Sequence, residues 1–259
     1  MRFFKRRIHK AVSDLDTVEI SEQDGVRYLH LGNDTVQSAM RITKPNQLEL
    51  RYTQAMMGFL LFTEMPPANA LVIGLGGGSL VKFLYHQFAV INITAVEINA
   101  KVIQAAQQFF YLPDDVQRLN LVLADAAEFI TTSTHYDCIL LDGFDAGFQV
   151  QNLASENFYR DCKRALSPTG VLSVNLWASD PQFDIYLQRL SSVFDNHILH
   201  LPVEQRGNII IFAFAEPLRY QTLRKLQQRA QQLSTELALP YSDQLERMRT
   251  HPGNAKIIP

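Results

Sequence analysis

Apolar positions along the chain follow two regimes. Between Thr17 and Arg41 they alternate with polar ones in short segments, broken at Asp24-Gly25 and Gly32-Asn33-Asp34. That spacing predicts a small antiparallel unit of two or three strands. From Leu50 to Phe62 the run of Ala55, Met56, Met57, Phe59, Leu60 and Leu61 predicts a strongly apolar helix, stopping before Pro66-Pro67. Beyond it, unbroken apolar runs alternate with helical periodicity. Segments 70–75, 93–98, 120–124, 136–142, 169–176, 197–203 and 208–215 read as strands, and 78–88, 99–110, 125–131, 154–166 and 182–193 read as helices. Cys138-Ile139-Leu140-Leu141 lacks period-two alternation, which suits a strand buried on both faces of a parallel sheet.

Strands alternating with helices predict an α/β fold. The last two strands flank the hairpin-like link Glu204-Gln205-Arg206-Gly207-Asn208, so the sheet is expected to end in an antiparallel edge. Seven strands, mostly parallel, are the layout of the class I methyltransferase-like Rossmann fold, here with a small N-terminal antiparallel β unit. The expected divisions are 1–48 for that unit, 49–216 for the Rossmann-like domain and 217–259 for a helical tail rich in Gln, Arg and Leu. Of 259 residues, 47% are apolar and 19% charged, which excludes a disordered chain. A formal net charge of −2 provides no basic field for nucleic acid, and none is expected as a partner. The two cysteines, Cys138 and Cys162, fall in apolar patterns and read as buried free thiols. The seven histidines are scattered, so no metal is expected. The basic stretch from Arg2 to Lys10 has no apolar segment after it, so it reads as a solvated or frayed terminus. No apolar run has the length of a membrane span; a cytoplasmic protein with no membrane partner is expected.

Residues 71–82 carry the most information about chemistry. An apolar run ends at Gly74, followed by Leu75, then Gly76, Gly77, Gly78 and Ser79, where a helical pattern begins. Glycines there allow a sharp bend and close approach of a ligand to the backbone. The next strand ends on Glu97, followed by Ile98, at the distance usual for a ribose-binding acid. The turn reads G-x-G-G-G-S, so it lacks both the dinucleotide fingerprint and a Gly-Lys-Ser/Thr ending, and no cation lies within it. An adenosine-containing ligand without phosphates fits best, such as a sulfonium nucleoside of the S-adenosylmethionine kind. Lys82 and Arg51 read as solvated or paired.

Ligands of open α/β sheets sit outside the carboxyl ends of the strands, where Glu97, Asp125, Asp142 and Asp145 fall. A carboxylate at 97 can accept both hydroxyls of a ribose. Asp125, with Ala126 after it, could take a proton from an adenine amino group or cap a helix, or do both. Asp142 and Asp145, three apart in Leu141-Asp142-Gly143-Phe144-Asp145, can converge on a cation or simply stabilise a turn. Trp177 reads either as a ligand wall or as core.

With these residues in view, segment 17–215 resembles the polyamine aminopropyltransferases, the spermidine synthase family, and more closely their spermidine synthase-like members. The family's G-G-G-D-G-G loop matches Gly74 to Ser79, its ribose glutamate Glu97, its Gly-Asp adenine contact Ala124-Asp125, and its D-S-x-D-P loop Asp142 to Ala146. Two family glutamines match Gln37 and Gln54. The resemblance implies transfer of an aminopropyl group from decarboxylated S-adenosylmethionine to an amine, with Asp142 as base and Asp145 helping to hold the acceptor. It also implies nucleoside binding by Gln37, Gln54, Gly74, Gly76, Gly78, Glu97, Ile98, Asp125 and Ala126, and a homodimer. An alkylamine with a pKa of ~10.4 is almost wholly protonated at pH 7, a gap of about 4 to 5 kcal/mol that a carboxylate eases by taking the proton. The chain departs from the family at Gly77, where the family has an acid facing the donor's ammonium, and at Trp177 and Gly207-Asn208-Ile209-Ile210 around the acceptor. Two alternatives therefore stay open: a methyltransferase using S-adenosylmethionine on a small molecule, and a non-catalytic nucleoside-binding protein.

Overall fold

The computed structural model describes residues 6–12, 17–33, 35–145, 148–204, 207–219 and 221–258, with the backbone alone for 144, 145, 148 and 149. The chain opens with β1 (Arg6–Val12), β2 (Thr17–Gln23), β3 (Val26–Leu31) and β4 (Val36–Arg41), an antiparallel sheet in sequence order. The sheet has four strands rather than two or three because part of the basic terminus is an edge strand, not a frayed end. Arg6 lies opposite Glu22 and Lys10 opposite Glu19, and Arg7 Nε pairs with Glu19 Oε1 at 2.9 Å. The acids of β2 thus offset the positive charge of β1.

The expected helix over 50–62 is α1 (Arg51–Met56) followed by a tighter 3₁₀ stretch, Met57–Leu61. Three side chains take the carbonyls at this junction. Gln244 Nε2 donates to Gln54 O at 3.0 Å, Ser173 Oγ to Met56 O at 3.0 Å, and the Tyr241 hydroxyl to Met57 O at 3.3 Å. A Cβ on Gly58 would come within 3.0 Å of the Phe212 ring, so the segment lies tight against the sheet.

Next come β5 (Asn69–Ile73), α2 (Ser79–Gln87), β6 (Asn92–Glu97), α3 (Ala100–Phe109), β7 (Leu119–Leu123), α4 (Ala126–Phe129) and β8 (Tyr136–Leu141). The two-residue strands β9 (Phe144–Asp145) and β10 (Phe148–Gln149) pair with each other and precede α5 (Glu156–Ala165). Then follow β11 (Leu166–Trp177), α6 (Phe183–Val193), β12 (Ile198–Pro202) and β13 (Asn208–Phe214). The seven long strands form one sheet in the order β12-β13-β11-β8-β5-β6-β7. Strands β11, β8, β5, β6 and β7 run parallel, and β13 is antiparallel to both of its neighbours. The sheet thus ends in an antiparallel pair, as expected, with β13 lying between β11 and the edge strand β12. Six of the seven residues of β13 are buried, in keeping with a strand covered on both faces of the sheet.

Apolar side chains cover both faces of this sheet. One layer joins α2 and the 3₁₀ stretch to Leu226, Ala230, Leu233, Tyr241, Leu245 and Met248, so α7 (Leu223–Leu237) and α8 (Tyr241–Thr250) share the main core. The other holds Phe158, Tyr159, Cys162, Tyr186 and Leu190. Cys138 and Cys162 are buried free thiols, as the sequence suggested. The N-terminal sheet packs Val18, Ile20, Leu29 and Met40 against Val102, Ala105 and Phe110 around α3.

Lys82 departs from expectation. It is 1% exposed and pairs with no carboxylate among the described residues; Nζ donates to Phe110 O at 2.7 Å and lies 3.1 Å from Met40 Sδ. Burial, and then the nearby Arg27 guanidinium, pull its pKa from 10.5 to about 7. Arg51, by contrast, is exposed.

Candidate active site

Sheet order changes direction at β5, with β6 on one side and β8 on the other, which makes the carboxyl ends of β5 and β8 the topological switch point. Ile73 O accepts from Asp142 N at 2.9 Å and Val96 O from Gly74 N at 3.0 Å, which ties three strand ends together. A cleft enclosing about 990 Å³, part of it open to solvent, lies above them between these loops and the N-terminal sheet.

The glycine turn serves two surfaces. Gly74 has φ +87°, and a Cβ there would fall 2.2 Å from Asp142 O. Gly76, at φ +51°, faces Ser38, and both glycines line the cleft. Gly78, at φ +69°, begins α2 in the left-handed region and packs on Leu112 away from the cleft wall. Gly77 faces the Phe110 ring, which a Cβ would meet at 2.8 Å. Two of the glycines thus shape the cleft surface, and two let α2 approach its neighbours.

Glu97 ends β6. Its Oε2 accepts from Leu75 N at 3.0 Å and Oε1 from Asn99 N at 2.9 Å, so the carboxylate braces the glycine turn while lining the cleft. Burial raises its pKa, and backbone N–H donors from Asn99, Leu75, Ile98 and Gly76 counter the rise. Asp125 is the N-cap of α4, accepting from Ala127 N at 2.7 Å, and it also lines the cleft beside Ile98 and Ala126. The capping reading is thus observed directly, in a residue that also stands at the cleft. Gln37 is on the same wall. Gln54 is not: its Nε2 donates to Leu48 O at 2.7 Å, steadying the chain before α1.

Asp142 follows β8 and is half-buried at the cleft floor. Its Oδ1 accepts from Asn175 Nδ2 at 2.9 Å and its Oδ2 from the Tyr52 hydroxyl at 3.0 Å. That hydroxyl also lies 3.2 Å from Gln37 O, so its one proton has two acceptors. Burial raises the Asp142 carboxyl above the usual range, and the hydrogen bonds from Asn175 and Tyr52 act the other way. The result is a carboxylate with raised basicity whose orientation is fixed from two sides. The backbone of Asp145 pairs with Phe148, but its side chain lies outside the described residues.

Tyr52, Thr53, Ser38, Asn152 and Asn175 are functional candidates that the sequence reading passed over. Tyr52 stands two residues before Gln54, and Asn175 is a polar residue inside an apolar strand; both signals were present in the chain. Trp177 lines neither the cleft nor the main apolar clusters. Among the described residues no three His, Cys, Asp or Glu side chains are arranged to hold a metal ion, and no helix is long and apolar enough to cross a membrane.

Comparison with known proteins bears on this geometry. Residues 49–209 match the spermine/spermidine synthase domain family. A polyamine aminopropyltransferase from Neisseria meningitidis serogroup A is 40% identical over 97% of this chain and 96% of its own length. A probable spermidine synthase from Corynebacterium glutamicum superposes with a TM-score of 0.74, at 16% identity over 87% of this chain and 86% of that one. Human methyltransferase-like protein 13 in complex with SAH gives 0.66, at 28% identity over 74% of this chain and 94% of that one.

Proposed function

The chain belongs to the spermine/spermidine synthase family, and from that premise we propose that it transfers an aminopropyl group from decarboxylated S-adenosylmethionine to a small amine. The observation that carries the reading is Asp142: a partly desolvated carboxylate at the switch point, held by Tyr52 and Asn175. The donor's sulfonium carbon is the electrophile, and its nucleoside is the leaving group. Glu97 offers carboxylate oxygens to the ribose, Asp125 to the adenine amino group, and the Gly74–Gly76 backbone lets the nucleoside lie close. Asp142 holds the acceptor's ammonium, takes its proton and leaves a free amine lone pair for attack. Its raised basicity brings donor and acceptor of that proton nearer in affinity, which general-base catalysis favours. Asp145 would assist in holding the acceptor. By the same family resemblance the chain acts as a cytoplasmic homodimer.

A second reading is methyl transfer from intact S-adenosylmethionine. It is favoured by Gly77, which stands where the resemblance places an acid and which meets Phe110 instead of the cleft. Calorimetric titration with decarboxylated S-adenosylmethionine, S-adenosylmethionine and methylthioadenosine separates the two. Tighter binding of the decarboxylated donor and methylthioadenosine is the expected outcome. Preference for the intact donor would replace aminopropyl transfer with methyl transfer, and no binding to any of them would remove the nucleoside site.

A further inference from the structure

Asn208 opens β13, is 4% exposed, and donates from Nδ2 to Asn175 Oδ1 at 2.9 Å. Asn175, 2% exposed, in turn donates to Asp142 Oδ1 at 2.9 Å. An amide donates at one end and accepts at the other. With its oxygen engaged by Asn208, Asn175 has its NH₂ turned toward the carboxylate. Rotated by half a turn, it would set oxygen against oxygen at Asp142 and NH₂ against NH₂ at Asn208. That arrangement becomes consistent only with a proton on Asp142 and with Asn208 turned as well.

The platform under Asn208 is firm. Asn208 O accepts from Val203 N at 2.8 Å across the β12–β13 hairpin, Asn208 lies opposite Trp177 of β11, and Gly207 O accepts from Ala178 N at 2.9 Å. We propose that Asn208 is a positioning residue: through Asn175 it holds the Asp142 carboxylate in its charged form and in one orientation, which ties the proton acceptor to the hairpin between β12 and β13. The proposal rests on the reading of Asp142 as that acceptor. The other ionisable groups described around Asp142 are Tyr52 from α1, with Glu97 at the end of β6 and Asp125 at the head of α4 on the same cleft wall. Asn175 and Tyr52 are the two side-chain donors that counter the effect of burial on the Asp142 carboxyl.

The test follows the Asp142 carboxyl carbon by ¹³C NMR, its signal identified by its loss in Asp142→Asn. Wild type is compared with Asn208→Leu, which has no donor, and with the near-isosteric Asn208→Asp, which turns the donor into an acceptor. The midpoint is expected to rise by about one pH unit, roughly tenfold in proton affinity. The acid limb of kcat/KM should move with it, while methylthioadenosine affinity stays as in wild type. An unmoved midpoint in folded Asn208→Asp and Asn208→Leu overturns the proposal. A moved midpoint in a protein with no transfer to any amine upholds the amide lock and overturns the reaction assigned to Asp142.

Discussion

At the scale of single residues, the site depends on close approach. Gly74 is the sharpest case, because its backbone has φ +87° and a Cβ would overlap Asp142 O at 2.2 Å. Gly74→Ala combines left-handed strain with a backbone clash, so it should cost about 3 kcal/mol or more and displace Asp142. Chemical denaturation checks this, and a loss below 1 kcal/mol would show that the β5 and β8 ends are not locked together as described. The sequence marked Gly74, Glu97, Asp125 and Asp142 because glycine turns and strand-end acids are local signals. It could not show which glycine faces which neighbour: Gly77 and Gly78 meet Phe110 and Leu112, partners set by the path of α3 and the chain after it. Nor could it show that the Gln54 side chain turns to Leu48 O and does not line the cleft.

At the scale of elements, strand and helix positions were legible to within a few residues because apolar runs and helical periodicity are strong in this chain. The order of strands was less so. That β13 inserts between β11 and β12 is set by pairing between distant segments, which leaves no local pattern. The junction of α2, α3 and β4 was also invisible, because Lys82 reads as a surface cation until the packing closes over it. There its amine meets Phe110 O and Met40 Sδ, and its pKa falls to about 7. Between pH 7 and 10.5 the unfolded chain binds this proton and the folded one does not. Stability should therefore rise with pH across that window. Urea denaturation at several pH values should show the rise in wild type and a flatter profile in Lys82→Met. Identical slopes in the two proteins would mean that the amine is not desolvated.

At the scale of the whole molecule, three layers converge on one cleft. The N-terminal sheet supplies Gln37 and Ser38, the α1 segment Tyr52 and Thr53, and the central sheet Glu97, Asp142 and, through it, Asn175. The C-terminal helices contribute from behind, since Tyr241 and Gln244 hold carbonyls of the segment that carries Tyr52. The tail's polar surface pattern gave no hint of this role, because hydrogen bonds to backbone carbonyls leave no periodic signature. The glycine turn and strand-end acids of the cleft were readable from motifs, whereas the partners of Asp142 are side chains brought together by folding.

The most direct measurement is release of methylthioadenosine on mixing the protein with decarboxylated S-adenosylmethionine and a panel of linear diamines, in wild type and Asp142→Asn. Amine-dependent release is expected in wild type. In Asp142→Asn it should fall by about 10² to 10⁴ with methylthioadenosine affinity retained. No amine-dependent release from folded wild type, or full turnover in Asp142→Asn, would contradict the account.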